Sequence, residues 1–229
     1  MFRLTSAVPT LSRTVRVSSV RPVTASPWVR RQFHATPFIM GRVSDAIKED
    51  HRELEAYYQR IIDSTDLDAQ TRFQNLFVWE LARHSISEEL VIYPALEKEV
   101  SGGKALADKD RSEHQTVKEK LYKFQKLKSS DPDFLPTIES LMKDLKEHIK
   151  EEEEEDLVKL EKAIDNDKSE ALATSFERTK MFTPTKSHPA APNKPPFETV
   201  AGLMAAPLDK LVDMFSAFPS QQEKSDAKR

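Results

Sequence analysis

The sequence contains no cysteine. That absence excludes disulfides, thiolate metal sites and cysteine nucleophiles together, so any metal would have to be held by histidine and carboxylate. Glycine is also scarce, at 4 residues of 229 against 14 prolines, and the prolines crowd towards the first 40 and last 50 positions. The middle, poor in helix breakers and rich in charge, reads as helical. No apolar run approaches the roughly 20 residues that a membrane-spanning helix needs. Acids are missing from one end: nothing before Asp45 is acidic, and the six charges of residues 1–40 are all arginine. Removing those six from the 35 basic residues leaves 29 against 38 acidic ones, a net charge of -9. A body so acidic repels phosphate backbones, and with no basic stripe to offset this, nucleic acid is set aside as a partner. The 38% hydrophobic content suits one globular domain with extensions.

The two ends differ in kind from the middle. Residues 1–40 interleave Phe2, Leu4, Val8, Leu11 and Val15 with Arg3, Arg13 and Arg16 and are rich in Ser and Thr, as a mitochondrial transit peptide is. The run Arg30-Arg31-Gln32-Phe33 resembles a matrix-processing site, which predicts cleavage near Phe33 or Gly41 and a mitochondrial, matrix location; a disordered basic arm is the other reading. A short helical extension is expected at 166–182. Five prolines within 183–196 predict an extended linker over 183–199. Beyond it Val200, Leu203, Met204, Leu208, Leu211, Val212, Phe215 and Phe218 recur at helical spacing, so an amphipathic helix is expected over 200–218, interrupted by Pro207. That helix would dock on the domain or serve a protein partner, and residues 219–229 would form a disordered tail.

Between residues 43 and 164 the apolar positions repeat every three to four residues in four blocks, parted by polar breaks at 63–68, 101–103 and 129–133. Short connections make neighbours antiparallel, so the expected fold is all-α: an up-down-up-down four-helix bundle over 43–165. Each apolar stripe has a gap filled by one histidine: His51, His84, His114 and His148. His84 and His148 are each followed one turn later by a carboxylate, Glu88 and Glu152, which the helix sets beside the imidazole. A lone histidine on such a stripe is ordinarily a hydrogen-bonded core residue; four of them with two buried acids are another matter. An unpaired carboxylate in an apolar core must protonate or find a cation. Imidazole with carboxylate fits iron, manganese or zinc, and bundle cores with such sets typically hold two metals. Glu152 is chosen from the acidic run 151–155 by its phase, with Glu153 the other candidate, and Glu88 is preferred to Glu89 by the same argument. Glu80 could orient an imidazole, and Tyr57, Tyr58 or Glu80 could supply a proton. Pro94 should kink the second helix away from the site.

These residues resemble the hemerythrin HHE cation-binding family over about residues 43–165. The likeness rests on His51 in AIKEDHREL, His84 and Glu88 in WELARHSISEELVIYPALE, His114 in RSEHQTVK, and His148 and Glu152 in LKEHIKEEE. It implies two iron ions, oxo- or hydroxo-bridged, with terminal imidazoles, two bridging glutamates and an open position facing O₂, NO or peroxide. Oxygen-carrying members have a second histidine one turn from the third-helix one, whereas here those positions are Asp110 and Lys118. The set of four histidines and two glutamates resembles iron-sulfur cluster repair proteins, whose cysteine-bearing domain is absent. A di-iron protein handling O₂, NO, reactive oxygen species or iron is therefore expected. The alternatives are a reversible O₂ carrier or sensor and a metal-free helical interaction module.

Overall fold

The computed structural model describes residues 41–191 and 197–229, so the expected transit peptide and part of the proline-rich stretch lie outside the described residues. All regular structure among them is helical. Helix α1 (Val43–Asp63) is followed by α2 (Leu67–Ser87), a π turn π1 (Glu88–Ile92) and α3 (Tyr93–Glu99). Next come α4 (Gly103–Phe124), α5 (Phe134–Glu151), a second π turn π2 (Glu152–Asp156) and α6 (Leu157–Ala163). The backbone stays right-handed helical through both π turns, so α2–π1–α3 and α5–π2–α6 are each one rod. With α1 and α4 they make the four rods of the bundle that the hydrophobic period predicts.

The bundle has two apolar cores. One gathers Leu54, Phe77, Leu81, Leu121, Phe124, Ile138 and Leu145 near the α1–α2 and α4–α5 turns. The other gathers Val43, Ile47, Ile92, Leu96, Ala107, Leu157 and Leu160 at the opposite end. The four histidines belong to neither and divide the two along the rods. Turns at the first end are tied by buried amides: Gln70 donates to the Ile61 and Ser64 carbonyls at 3.1 and 2.8 Å. Gln74 does the same for Phe124 and Leu127, both at 2.8 Å. Each amide thus satisfies carbonyls that a helix end leaves open.

The departure from α geometry in the second rod begins at Glu88, ahead of Pro94, and so includes a residue of the expected site. Proline is not its general cause, because π2 has the same length and no proline follows it. What the two turns share is that each opens on the glutamate of an H-x-x-x-E pair. π turns recur at functional sites because the extra residue re-aims the side chains beside it.

The segments after the bundle are more ordered than their composition suggests. α7 (Asn166–Lys180) packs Ala173 and Phe176 into the second core, and its Ser169 hydroxyl accepts from the Val43 N–H at 2.9 Å. The expected linker is in part packed: Thr183, Thr185 and Ser187 are buried. Ser187 donates to the Lys118 carbonyl at 2.6 Å and exchanges hydrogen bonds with the Gln125 amide. α8 (Phe197–Asp213) begins earlier than expected and continues through Pro207, which costs it one hydrogen bond without ending it. It docks through Ala206 and Asp209, the latter accepting from the Thr185 and Lys186 N–H groups at 3.1 Å each, while Leu208, Leu211 and Val212 face outwards. Residues 219–229 are not a featureless tail. Ser220 and Glu223 form a capping box that starts α9 (Gln221–Ala227), and Glu223 pairs with Arg72 at 2.7 Å.

One turn is built on two glycines. Gly102 sits at φ +76°, and a Cβ on Gly103 would lie 1.9 Å from the Leu96 carbonyl oxygen. Gly103→Ala should therefore destabilise the protein by about 1–3 kcal/mol through overpacking, and Gly102→Ala by about 1 kcal/mol through left-handed strain. Urea unfolding of the two variants checks both values and their order.

Candidate metal centre

The six residues singled out by pattern converge. His51, His84, Glu88, His114, His148 and Glu152 come from α1, α2, π1, α4, α5 and π2, and none is more than 3% exposed. Glu88 stands in the middle: one carboxylate oxygen lies 3.2 Å from His84 Nε2, the other 3.4 Å from His114 Nε2. Glu152 faces His51 Nε2 at 3.4 Å, and the His114 and His148 Nε2 atoms are 3.0 Å apart. Donor atoms of His51, His84 and Glu88 fall within 4.8 Å of one another, and so do those of Glu88, His114 and His148. Glu88 is common to both groups.

All four Nε2 atoms thus point inward, and all four Nδ1 atoms point to a carboxylate. His51 Nδ1 is 2.8 Å from Glu153 and His84 Nδ1 is 3.2 Å from Asp50. His114 Nδ1 is 3.3 Å from Glu89 and His148 Nδ1 is 2.9 Å from Glu113. In the neutral imidazole a carboxylate on Nδ1 holds the proton there and leaves the Nε2 lone pair facing the centre, the tautomer that a metal requires. Each acid is in turn backed by a cation: Arg52 on Glu153, Lys180 on Asp50 at 2.7 Å, Lys118 on Glu89 and Lys109 on Glu113 at 3.3 Å.

Titration follows from this packing. Burial and the charge of Glu152 push the Glu88 carboxyl well above its ordinary range. Burial also opposes ionisation of Glu152, but His51 and His148 outweigh it and hold that carboxyl low. Burial pulls His51 down, yet Glu152 and Glu153 raise it to about 9, while His114, with burial dominant, falls to about 4. Two neighbouring buried carboxylates do not both ionise: Glu88 takes the protonated form, while the charge of His51 keeps Glu152 ionised. Near the centre, burial lifts Asp110 to about 7.

The orienting acids were not legible as such. Glu153 stands out only as a rival ligand and Glu89 only as the loser to Glu88, yet both lie on the perimeter holding imidazoles. Asp50 and Glu113 carry no pattern of their own. The one signal is adjacency: each of the four is the sequence neighbour of a central residue. Glu80 does not orient an imidazole; it pairs with Arg83 at 3.3 Å, and Asp50 takes that role at His84. Tyr57 donates to Glu53 at 2.9 Å, and Tyr58 packs against the first core. The phenol at the site is Tyr93, fully buried with its oxygen 3.0 Å from His114 Nε2. Phe176 of α7 meets the His84 ring edge-on, with centroids 5.8 Å apart.

The Hemerythrin HHE cation binding domain model matches residues 42–160, which is just over half of the chain and contains the whole centre. The chain belongs to this family. An uncharacterised hemerythrin-like protein of Schizosaccharomyces pombe is 57% identical over 181 residues, covering 79% of this chain and 89% of that protein. No solved structure matches. This hemerythrin-like domain is a cation-binding helical bundle, and its histidine and glutamate clusters are groups that could hold a metal ion.

Glu80 provides a pH test of the packing around this hemerythrin-like centre. Burial, against the pull of Arg83 and with the charges of Asp50 and Glu53, raises its carboxyl to about 7 from 4.5. A raised carboxyl favours the folded state when protonated, so its contribution is complete below pH 4.5 and is lost as the pH rises through about 7. Glu80→Gln should match the parent at pH 4 and exceed it by roughly 2 kcal/mol at pH 8. Paired urea melts at the two pH values measure the difference.

Proposed function

We propose that the centre holds two iron ions and that the protein is a mitochondrial di-iron protein handling O₂, NO or reactive oxygen species. The observation that carries this reading is a set of buried atoms lacking hydrogen-bond partners. They are the inward nitrogens of His51 and His84 and both oxygens of Glu88 and of Glu152. Buried polar groups are almost always paired, and leaving six such atoms open in one place costs many kcal/mol unless cations meet them. A metal-free polar network would not leave this pattern, because its members would bond to each other.

In this reading His51 and His84 would hold one ion and His114 and His148 the other, with Glu88 common to both groups and Glu152 beside His51. Nitrogen and carboxylate donors without thiolate suit iron among the redox metals. Iron bound there supplies electron exchange with small oxidants such as O₂, NO or peroxide. The chain's own contribution is to fix the Nε2 tautomers through Asp50, Glu89, Glu113 and Glu153 and to exclude water with an apolar core on either side. Tyr93 places a hydroxyl beside His114, where it can donate a hydrogen bond to a small molecule at the centre. Four imidazoles shared between two ions would leave room for a small molecule at the metal, which favours redox turnover over simple carriage.

Purified full-length protein should contain about two irons per chain and show a near-ultraviolet band that disappears in His84→Ala and Glu152→Ala. Recovery without metal, or retention of both irons in both variants, would defeat the reading. The location rests on the arginine-rich, acid-free first 40 residues. Fused to a fluorescent protein, residues 1–40 should direct it to mitochondria, and a cytosolic signal would remove that part.

A further inference from the structure

Each imidazole is held by an acid and each acid by a cation, but the four cations are not alike. Arg52 and Lys109 are half exposed, where water screens their charge, and a pair of that kind contributes little. Lys118 and Lys180 are buried. Arg52, Lys109 and Lys118 belong to α1 and α4, two rods of the bundle. Lys180 ends α7 and lies beyond the hemerythrin-like domain of residues 42–160. It reaches Asp50 across 130 positions of sequence.

Lys180 is fixed at both ends. Its carbonyl accepts from Arg83 Nε at 2.8 Å. Its ammonium donates to Asp50 Oδ1 at 2.7 Å and Oδ2 at 2.8 Å, and pairs with Glu177 at 2.8 Å. The ammonium also stands over the ring of Phe176, 5.0 Å from its centroid, and that ring meets His84 edge-on. Burial opposes its charge, but Asp50 and Glu177 outweigh burial and keep the side chain cationic. The Oδ2 that takes the ammonium is also the oxygen that faces His84 Nδ1 at 3.2 Å. One carboxylate oxygen thus links a fixed positive charge to an imidazole whose other nitrogen faces the centre.

A carboxylate behind an imidazole makes the ring a stronger donor at Nε2. Two hydrogen bonds from Lys180 draw on the charge of Asp50 and weaken that effect. The field of the cation acts in the same sense, because a positive charge in a water-poor site opposes the build-up of further positive charge nearby. Both effects favour the lower oxidation state of a metal bound by His84. We propose that Lys180 is a positioning residue that, through Asp50, raises the reduction potential of the metal position served by His84. α7 then sets the redox balance of a centre to which it contributes no ligand. The proposal rests on the two-iron reading above and adds to it.

The test is a potentiometric titration of the purified, iron-loaded full-length protein, followed through its near-ultraviolet band. The samples are the parent, Lys180→Met, Asp50→Asn, the double variant and Ser169→Ala. Lys180→Met should shift the ferric–ferrous equilibrium at least tenfold towards ferric, a fall of about 59 mV or more for one electron. Asp50→Asn keeps an acceptor oxygen but removes the negative charge, so it should shift the equilibrium the opposite way. In the Asp50→Asn background Lys180→Met should have a smaller effect, because the carboxylate through which it acts is gone. Ser169→Ala removes the hydrogen bond that anchors α7 to Val43, and it should lower the melting temperature while leaving the potential unchanged. No shift, or a rise, in Lys180→Met would overturn the proposal, as would an undiminished shift in the double variant. An equal shift in Ser169→Ala would make α7 a packing element only, and loss of iron from Lys180→Met would make Lys180 a structural requirement; either result also overturns it. A parent that holds no iron would overturn the two-iron reading and the proposal with it, so the two failures are distinct.

Discussion

Two glutamate carboxylates in the middle of a helical bundle, with no hydrogen-bond donors of their own, are the constraint around which the molecule is arranged. Glu88 and Glu152 are fully buried, and a charge in that position must be answered locally because water is excluded. The answer is concentric. Four imidazoles present Nε2 to the carboxylates, four acids take the outward Nδ1 atoms, and four Lys or Arg side chains close the outer ring. The two apolar cores lie to either side and keep the dielectric low, which strengthens each of these contacts.

The ordering extends beyond the bundle. Lys180, the last residue of α7, bonds both carboxylate oxygens of Asp50, which orients His84, and its carbonyl accepts from Arg83. α7 is thereby tied to the centre by charge as well as by Phe176. Among the described residues the later segments attach mainly through polar pins, Ser187 on Lys118 and Asp209 on Thr185 and Lys186. That is why the outward face of α8 can remain apolar and exposed while the helix is still held.

The fold and the six central residues could be read from periodicity alone, because a 3.6-residue stripe identifies which side chains turn inward whatever their polarity. Histidines at Ile or Leu positions are conspicuous for that reason. The ring of acids could not be read in the same way. Glu113 and Asp50 act on a helix other than their own, and nothing in a linear pattern records which imidazole a neighbouring helix will bring. Tyr93 reaches His114 only because π1 shifts the phase after Glu88, and a uniform helical wheel does not contain that shift. The short α9 escaped for a different reason: a seven-residue helix has little intrinsic stability, and here a capping box and the Arg72–Glu223 pair supply it.

The two π turns also determine how this fold can change over generations. Each is a helical stretch with one residue more than the α repeat needs, and deleting that residue would restore an ordinary helix. It would also rotate everything downstream by about 100°, turning Tyr93 and Leu96 in one rod, or Leu157 and Leu160 in the other, out of the second core. Insertions and deletions are readily absorbed in the three connecting loops, but within 88–92 and 152–156 chain length is as constrained as residue identity. Descendants of this sequence can therefore exchange side chains at the centre far more easily than they can gain or lose a residue beside it.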